Sequence, residues 1–271
     1  MRAAGKSFLN KFNSTVDRVG LLHFASEAQI DVPIKQLNRG FDRSSMTMKD
    51  GKIDKFTFIG GTNSSAGMYQ ARKQLNDIEQ LNRSSLRVIV FFSDGSPAAF
   101  SSYFPSTGSK CKMAVSDSDQ DGDCDASKIT AIPPWYNANN DADKADDAAL
   151  REFPIVTNTP RVVTASIASA QVQWTNVHRA SRNLVEAMAA KARQEGMFIF
   201  TLTMGASLKT KEGPDSELGE DLLRCLANTV DAPTRCRKPA EPVGLYCYAA
   251  TDSDLSPCFT RLASAILRIS K

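Results

Sequence analysis

A chain of 271 residues, 42% hydrophobic and 23% charged, is long enough to bury a substantial core and has the make-up of an ordinary globular protein. Its net charge of +3 is uneven: residues 111–152 hold ten acidic and four basic side chains, a net of −6, which leaves +9 on the rest. The excess base is scattered over amphipathic segments with no basic cluster interleaved with aromatics, which argues against a nucleic-acid partner, and no apolar window approaches the roughly 18 residues needed to span a bilayer.

In chain order, Lys6 to Phe12 reads as the end of an amphipathic helix, without an apolar core of signal-peptide length. RVGLLHFAS (18–26) is a compact apolar run, as expected of a strand buried on both faces. His23 within it reads as a packed, hydrogen-bonded core residue. FIGGTNSSAGMYQAR (58–72) passes through two glycines into Thr62, Asn63, Ser64 and Ser65. A helix follows, on which Met68, Ala71, Leu75 and Ile78 recur at steps of three and four; the serines read as its cap. LRVIVFFSDGSP (86–97) is a continuous apolar run ending in Ser-Asp-Gly, the pattern of a central parallel strand at its carboxyl end.

From Ala98 to His178 the periodicity fails. Five prolines, the acidic block and two cysteines mark 98–178 as an insertion within a single domain over 1–271. Inside it, DSDQDGDCD (117–125) matches the first half of a calcium loop. Asp117, Asp119 and Asp121 would bind Ca²⁺ directly, Asp123 through its carbonyl, and Asp125 directly or through water. Lys128 stands where a bidentate Glu is expected, so a solvated acidic loop is the competing reading. The second acidic run, NNDADKADDAAL, reads as the start of a helix. NLVEAMAAKARQEG (183–196) is a helix closed by Gly196. MFIFTLTMGA is a buried strand, ELGEDLLRCLAN a helix, VGLYCYAAT a strand and DLSPCFTRLASAILRI a last amphipathic helix. This alternation predicts an α/β fold with a doubly wound, mostly parallel sheet, whose ligands bind at the carboxyl ends of the strands.

The six cysteines, Cys111, Cys124, Cys225, Cys236, Cys247 and Cys258, include no C-x-x-C pair, and with only two histidines they argue against zinc. Several stand in polar, loop-like sequence, which favours disulfides and hence export; Cys124 is placed to tie back to Cys111, and the full set allows 15 pairings. No phosphate-binding glycine motif, no G-x-S-x-G elbow and no nucleophile–histidine pair is present, so no enzyme is expected. Thr62 and Asp94 fall in turns at strand ends and offer hard oxygen donors suited to Mg²⁺, Mn²⁺ or Ca²⁺.

DRVGLLHFAS, GGTNSSAGMYQAR and RVIVFFSDGSP resemble, in order and spacing, the von Willebrand factor A-type (VWFA) domain, and the resemblance continues through GMFIFTLTMGA and the carboxyl-terminal helix. It implies a metal-ion-dependent adhesion site at the top of the sheet, with Thr62 and Asp94 among its ligands and an acidic group of a protein partner completing it. The family's first central strand ends in Asp-x-Ser-x-Ser, and nothing upstream of Asp17 matches that loop. The expectation is a sheet without its first central strand, an N-terminally truncated domain, and a partial site with weak or no metal binding. A full-length form would carry an N-terminal membrane anchor. The overall layout is also similar to that of bacterial tight-adherence (Flp) pilus-assembly proteins, implying a non-enzymatic assembly or adhesion module facing the periplasm or cell surface. The alternative is a cytoplasmic VWFA accessory subunit of a metal-chelatase or ATPase-type complex; oxidised cysteines would argue against it.

Overall fold

The computed structural model describes residues 1–57, 60–83, 86–107, 129–137 and 151–270, and the backbone of 111–115. The calcium-loop aspartates Asp117, Asp119, Asp121, Asp123 and Asp125, the second acidic run, Cys124 and the side chain of Cys111 lie outside the described residues.

The apolar runs around 90, 200 and 247 become β3 (Arg87–Phe92), β6 (Met197–Met204) and β9 (Tyr246–Ala249), which form a parallel sheet in the order β3-β6-β9. Consecutive side chains alternate between faces, so each strand feeds two cores. Ile89, Phe91 and Ile199 face α3 (Ser64–Asn76), α4 (Ala170–Gln194) and α5 (Gly219–Ala227), where Met68, Leu184, Val185, Met188 and Leu226 fill the layer. Val88, Val90, Phe92, Phe200 and Leu202 lie on the other side with α6 (Asp252–Ile269) and with Phe8 and Phe12 at the end of α1 (Arg2–Leu9). The result is a mixed α/β open sheet flanked by helices on both faces.

The run around His23 is a short strand, β1 (Leu21–Phe24), half-buried rather than fully enclosed. It turns tightly at Ser26 into β2 (Ala28–Val32), a strand unexpected from the sequence, to make an antiparallel hairpin. His23 is hydrogen-bonded as anticipated, with Nδ1 2.7 Å from Asp31 Oδ2, but it is partly exposed and not a core residue, because β1 is covered less completely than a central strand. A short helix, α2 (Arg43–Thr47), packs beside α1, and between β6 and α5 a small hairpin pairs β7 (Lys211–Glu212) with β8 (Glu217–Leu218).

Within 98–178 the chain is knitted into the main core. β4 (Ala99–Phe104) pairs with β5 (Cys111–Val115); Phe100 and Phe104 are fully buried, and Ile129, Ile132, Phe153, Ile155 and Val163 join the same cluster. Helix α4 begins 13 residues earlier than the apolar pattern indicated, at Ala170 with Ser169 as its cap. The core-facing side of its first half mixes Val177 and Ala180 with buried polar residues. Asn176 bonds Thr164 and Ser166, Ser181 donates to the Pro97 carbonyl, and Asn183 bonds Arg161. These bonds satisfy Asn176, Ser181 and Asn183 and fasten the irregular segment to the helix.

Two disulfides, Cys225–Cys236 and Cys247–Cys258, each span 11 positions. Among the described residues no helix is long and apolar enough to cross a membrane.

Candidate functional site at the carboxyl end of the sheet

The segments that follow β1 and β3 meet at one turn, residues 60–63. After β1, the Ala25 carbonyl accepts from Asn63 N at 2.8 Å and Ser26 Oγ accepts from Gly61 N at 2.9 Å. After β3, Ala98 N and Ala99 N donate to the Thr62 carbonyl at 3.1 and 3.3 Å. Gly60 permits the turn with φ of +102°, a conformation costly for any residue with a Cβ.

The cap of α3 is Asn63, not the serines that follow. Its side-chain oxygen accepts from Ala66 N at 3.1 Å and from Ser65 Oγ at 2.9 Å. Its amide nitrogen donates to the Ser26 carbonyl at 3.1 Å and to Ser101 Oγ at 2.9 Å. One fully buried side chain therefore fixes the helix start, the β1 turn and β4 together, and so sets where Thr62 stands.

Thr62 reaches the Asp94 turn. A Cβ on Gly95 would lie 3.1 Å from Thr62 Oγ1, so the missing side chain lets the hydroxyl approach the backbone beside Asp94. Ser93 Oγ closes that turn by donating to the Gly95 carbonyl at 2.8 Å. Ser207 Oγ donates to the Asp94 carbonyl at 2.5 Å and joins the turn after β6 to it. Ser207 was invisible in the sequence, where a lone serine after a strand carries no signal.

Asp94 is exposed and Thr62 half-buried. Among the described residues, neither the Asp94 carboxylate nor the Thr62 hydroxyl has a hydrogen-bond or ion-pair partner. Among the described residues, both groups are open to a cation. The donor set fits a hard divalent ion in kind, but among the described residues no three His, Cys, Asp or Glu side chains converge anywhere. One carboxylate and one hydroxyl fall short of the six or more oxygens such an ion takes, so water or a partner must supply the balance.

No protein-family model matches the chain, and no curated protein matches it in sequence. Among solved structures, the fold is similar to the pilus adhesin SpaC from Lactobacillus rhamnosus GG, with a TM-score of 0.52 and 13% identity over 99% of this chain and 27% of the adhesin. Proximal thread matrix protein 1 from the mussel byssus (TM-score 0.42, 14% identity, 98% of this chain and 39% of that one) is a weaker match. So is the conserved hypothetical protein BatB from Bacteroides thetaiotaomicron (0.41, 12%, 98% and 86%). The chain spans about a quarter of the length of SpaC, and at this identity the likeness is one of fold.

Proposed function

We propose that the chain is a VWFA-type protein-binding module, without catalytic chemistry, that acts in surface adhesion or pilus assembly outside the cytoplasm. The observation that carries the reading is the meeting of the uncommitted Thr62 hydroxyl with the Asp94 turn at the carboxyl end of a parallel sheet. An Mg²⁺ or Mn²⁺ ion held there presents its open positions to an acidic group of a protein partner. In this reading the site is partial, because among the described residues no strand brings further ligands to it. The two disulfides favour an oxidising compartment over the cytoplasmic chelatase-type subunit, and the likeness in fold to a pilus adhesin agrees with an adhesive or assembly role.

Paramagnetic line broadening by Mn²⁺ tests the site. Broadening confined to residues 61–65 and 93–96, appearing only at about millimolar metal and lost in Thr62→Ala and Asp94→Ala, is the expected result. Micromolar affinity would show the site to be complete, and broadening unaffected by either substitution would remove the site altogether.

A further inference from the structure

The tetrapeptide Gln-Leu-Asn-Arg occurs twice, at 36–39 and at 80–83, and one side chain joins the two copies. Arg18, just ahead of β1, donates from Nε to the Asn38 carbonyl at 3.2 Å and from Nη1 to the Asn82 carbonyl at 2.8 Å. The first copy lies in the loop after β2, the second in the 3-10 turn Gln80–Asn82 ahead of β3. A third segment, the turn 13–17, abuts the first: Phe41 N donates to the Ser14 carbonyl at 2.9 Å, and a Cβ on Gly40 would lie 2.7 Å from that oxygen. The three loops form one surface at the amino end of β3. Asp94 stands past the other end of that strand, about 20 Å away along its six residues.

On this surface Leu81 is 98% exposed, Leu37 71% and Val16 47%. A single exposed leucine needs no explanation, but both copies of the tetrapeptide present theirs to solvent while their asparagine carbonyls hold the same guanidinium. Bases surround the leucines. Lys35 and Arg39 flank Leu37, are exposed, and among the described residues have no hydrogen-bond or ion-pair partner. Arg83, two positions after Leu81, bonds the Asn76 and Ile78 carbonyls, neutral acceptors that leave its charge in place. The neighbouring acids are turned back on their own loops: Asp17 accepts from Asn13 N at 2.7 Å and Glu79 from Asn82 Nδ2 at 3.4 Å.

We propose that this face docks on the surface of an anionic lipid bilayer. Shape and charge select that partner. At such exposure the leucines stand out from the surface rather than line a groove. Convex apolar tips are buried most fully by a medium that closes around them, the boundary between headgroups and acyl chains. Lys35, Arg39 and Arg83 then lie at headgroup level, where their aliphatic stems follow the leucines inward and their charges meet lipid phosphate. The two tips, with Val16 beside them, fix the orientation: β3 points its carboxyl end away from the bilayer, and the turns of Thr62 and Asp94 face outward. The docking needs neither metal nor those two residues, so it stands apart from the metal-dependent reading.

Sedimentation of the full chain with vesicles, in the absence of divalent metal, tests this. Binding is expected to phosphatidylcholine vesicles holding about 30% phosphatidylglycerol and not to pure phosphatidylcholine. Leu37→Ser with Leu81→Ser should weaken it by about tenfold or more, and so should Lys35→Glu with Arg39→Glu. Binding that is absent, equal on the neutral vesicles, or unchanged by the leucine pair would overturn the proposal. Depth is read separately from Leu81→Trp, whose emission, after subtraction of the parent's, should shift to the blue on anionic vesicles. Val162→Trp, at an exposed position beside Arg179 of α4, should not shift. Equal shifts in the two, or none in Leu81→Trp, would refute the orientation, and this readout holds even if a charge-reversal variant fails to fold. Self-association, or binding of polyglutamate, that depends on both leucines would assign the face to a protein and overturn the bilayer.

Discussion

Replacing Cys225 by Ala and Cys236 by Ser opens one disulfide and leaves the other. The bond spans 11 positions, for which loop-closure entropy gives a loss of about 2.8 kcal/mol at 25 °C. With an unfolding entropy of about 0.6 kcal/mol/K for a chain of this length, Tm should fall by about 5 °C. The folded loop has other anchors. Asn228, with φ of 53°, accepts from Lys238 N and donates to the Lys238 carbonyl, each at 2.8 Å. Buried Arg193 bonds Glu241 at 2.8 Å and the Leu226 carbonyl at 2.7 Å. The native geometry should therefore persist, and the loss should arise in the unfolded chain. Scanning calorimetry reads the Tm, and urea unfolding should show a steeper denaturant dependence because the uncrosslinked chain exposes more surface. A fall below about 1 °C, or four reactive thiols at Cys225, Cys236, Cys247 and Cys258 in the unreduced protein, would refute the reasoning.

Two further outcomes are expected. His178 on α4 is buried, and that burial, reinforced by Arg182, pulls its pKa down to about 4. The unfolded chain takes up this proton first, so stability is fully present above pH of about 6.5 and falls by up to about 3 kcal/mol as the pH drops to 4. Urea unfolding across that range should show the slope, and His178→Gln should flatten it; equal slopes in the two proteins would exclude His178 as the source. Asn63→Ala removes a cap and two buried bonds and should cost about 2–3 kcal/mol, while Asn63→Asp, which keeps the cap oxygen, should fall between. Thermal unfolding of both checks this, and an alanine variant within about 0.5 kcal/mol of the parent would show that the turn holds without Asn63.

The strands β3, β6 and β9 and the helices α5 and α6 were legible because their apolar residues follow one period without interruption. β2 was passed over although AQIDV alternates three apolar residues with two polar ones, the period of a half-buried strand, because a run of five residues stands out little from the polar sequence on either side. The first half of α4 was hidden for a different reason: its core side carries Asn176, His178, Ser181, Arg182 and Asn183, and a polar face looks like a solvent face until its partners are known. Asp94 was legible as an oxygen donor past the end of β3 and Thr62 as one just ahead of α3, though no strand is described before Thr62, and the structure brings the two turns together. The controlling role of Asn63 was not, because it depends on Ser26 and Ser101, each more than 35 positions away. Cysteine composition pointed to cross-linking but not to the pairing, which depends on which residues face each other between β9 and α6 and between α5 and the loop after it.

The Cys247–Cys258 bond also bears on how the molecule responds to tension. It joins β9 to the second turn of α6, so a pull on the carboxyl terminus that unwinds α6 reaches a covalent stop at Cys258. Load then passes straight to the sheet. The intervening residues 248–257, worth about 35 Å of extended chain, are never released, and the capping box at Thr251 and Asp254 stays outside the line of force. Whatever is fastened beyond α6, the carboxyl end of the sheet is mechanically shielded from it.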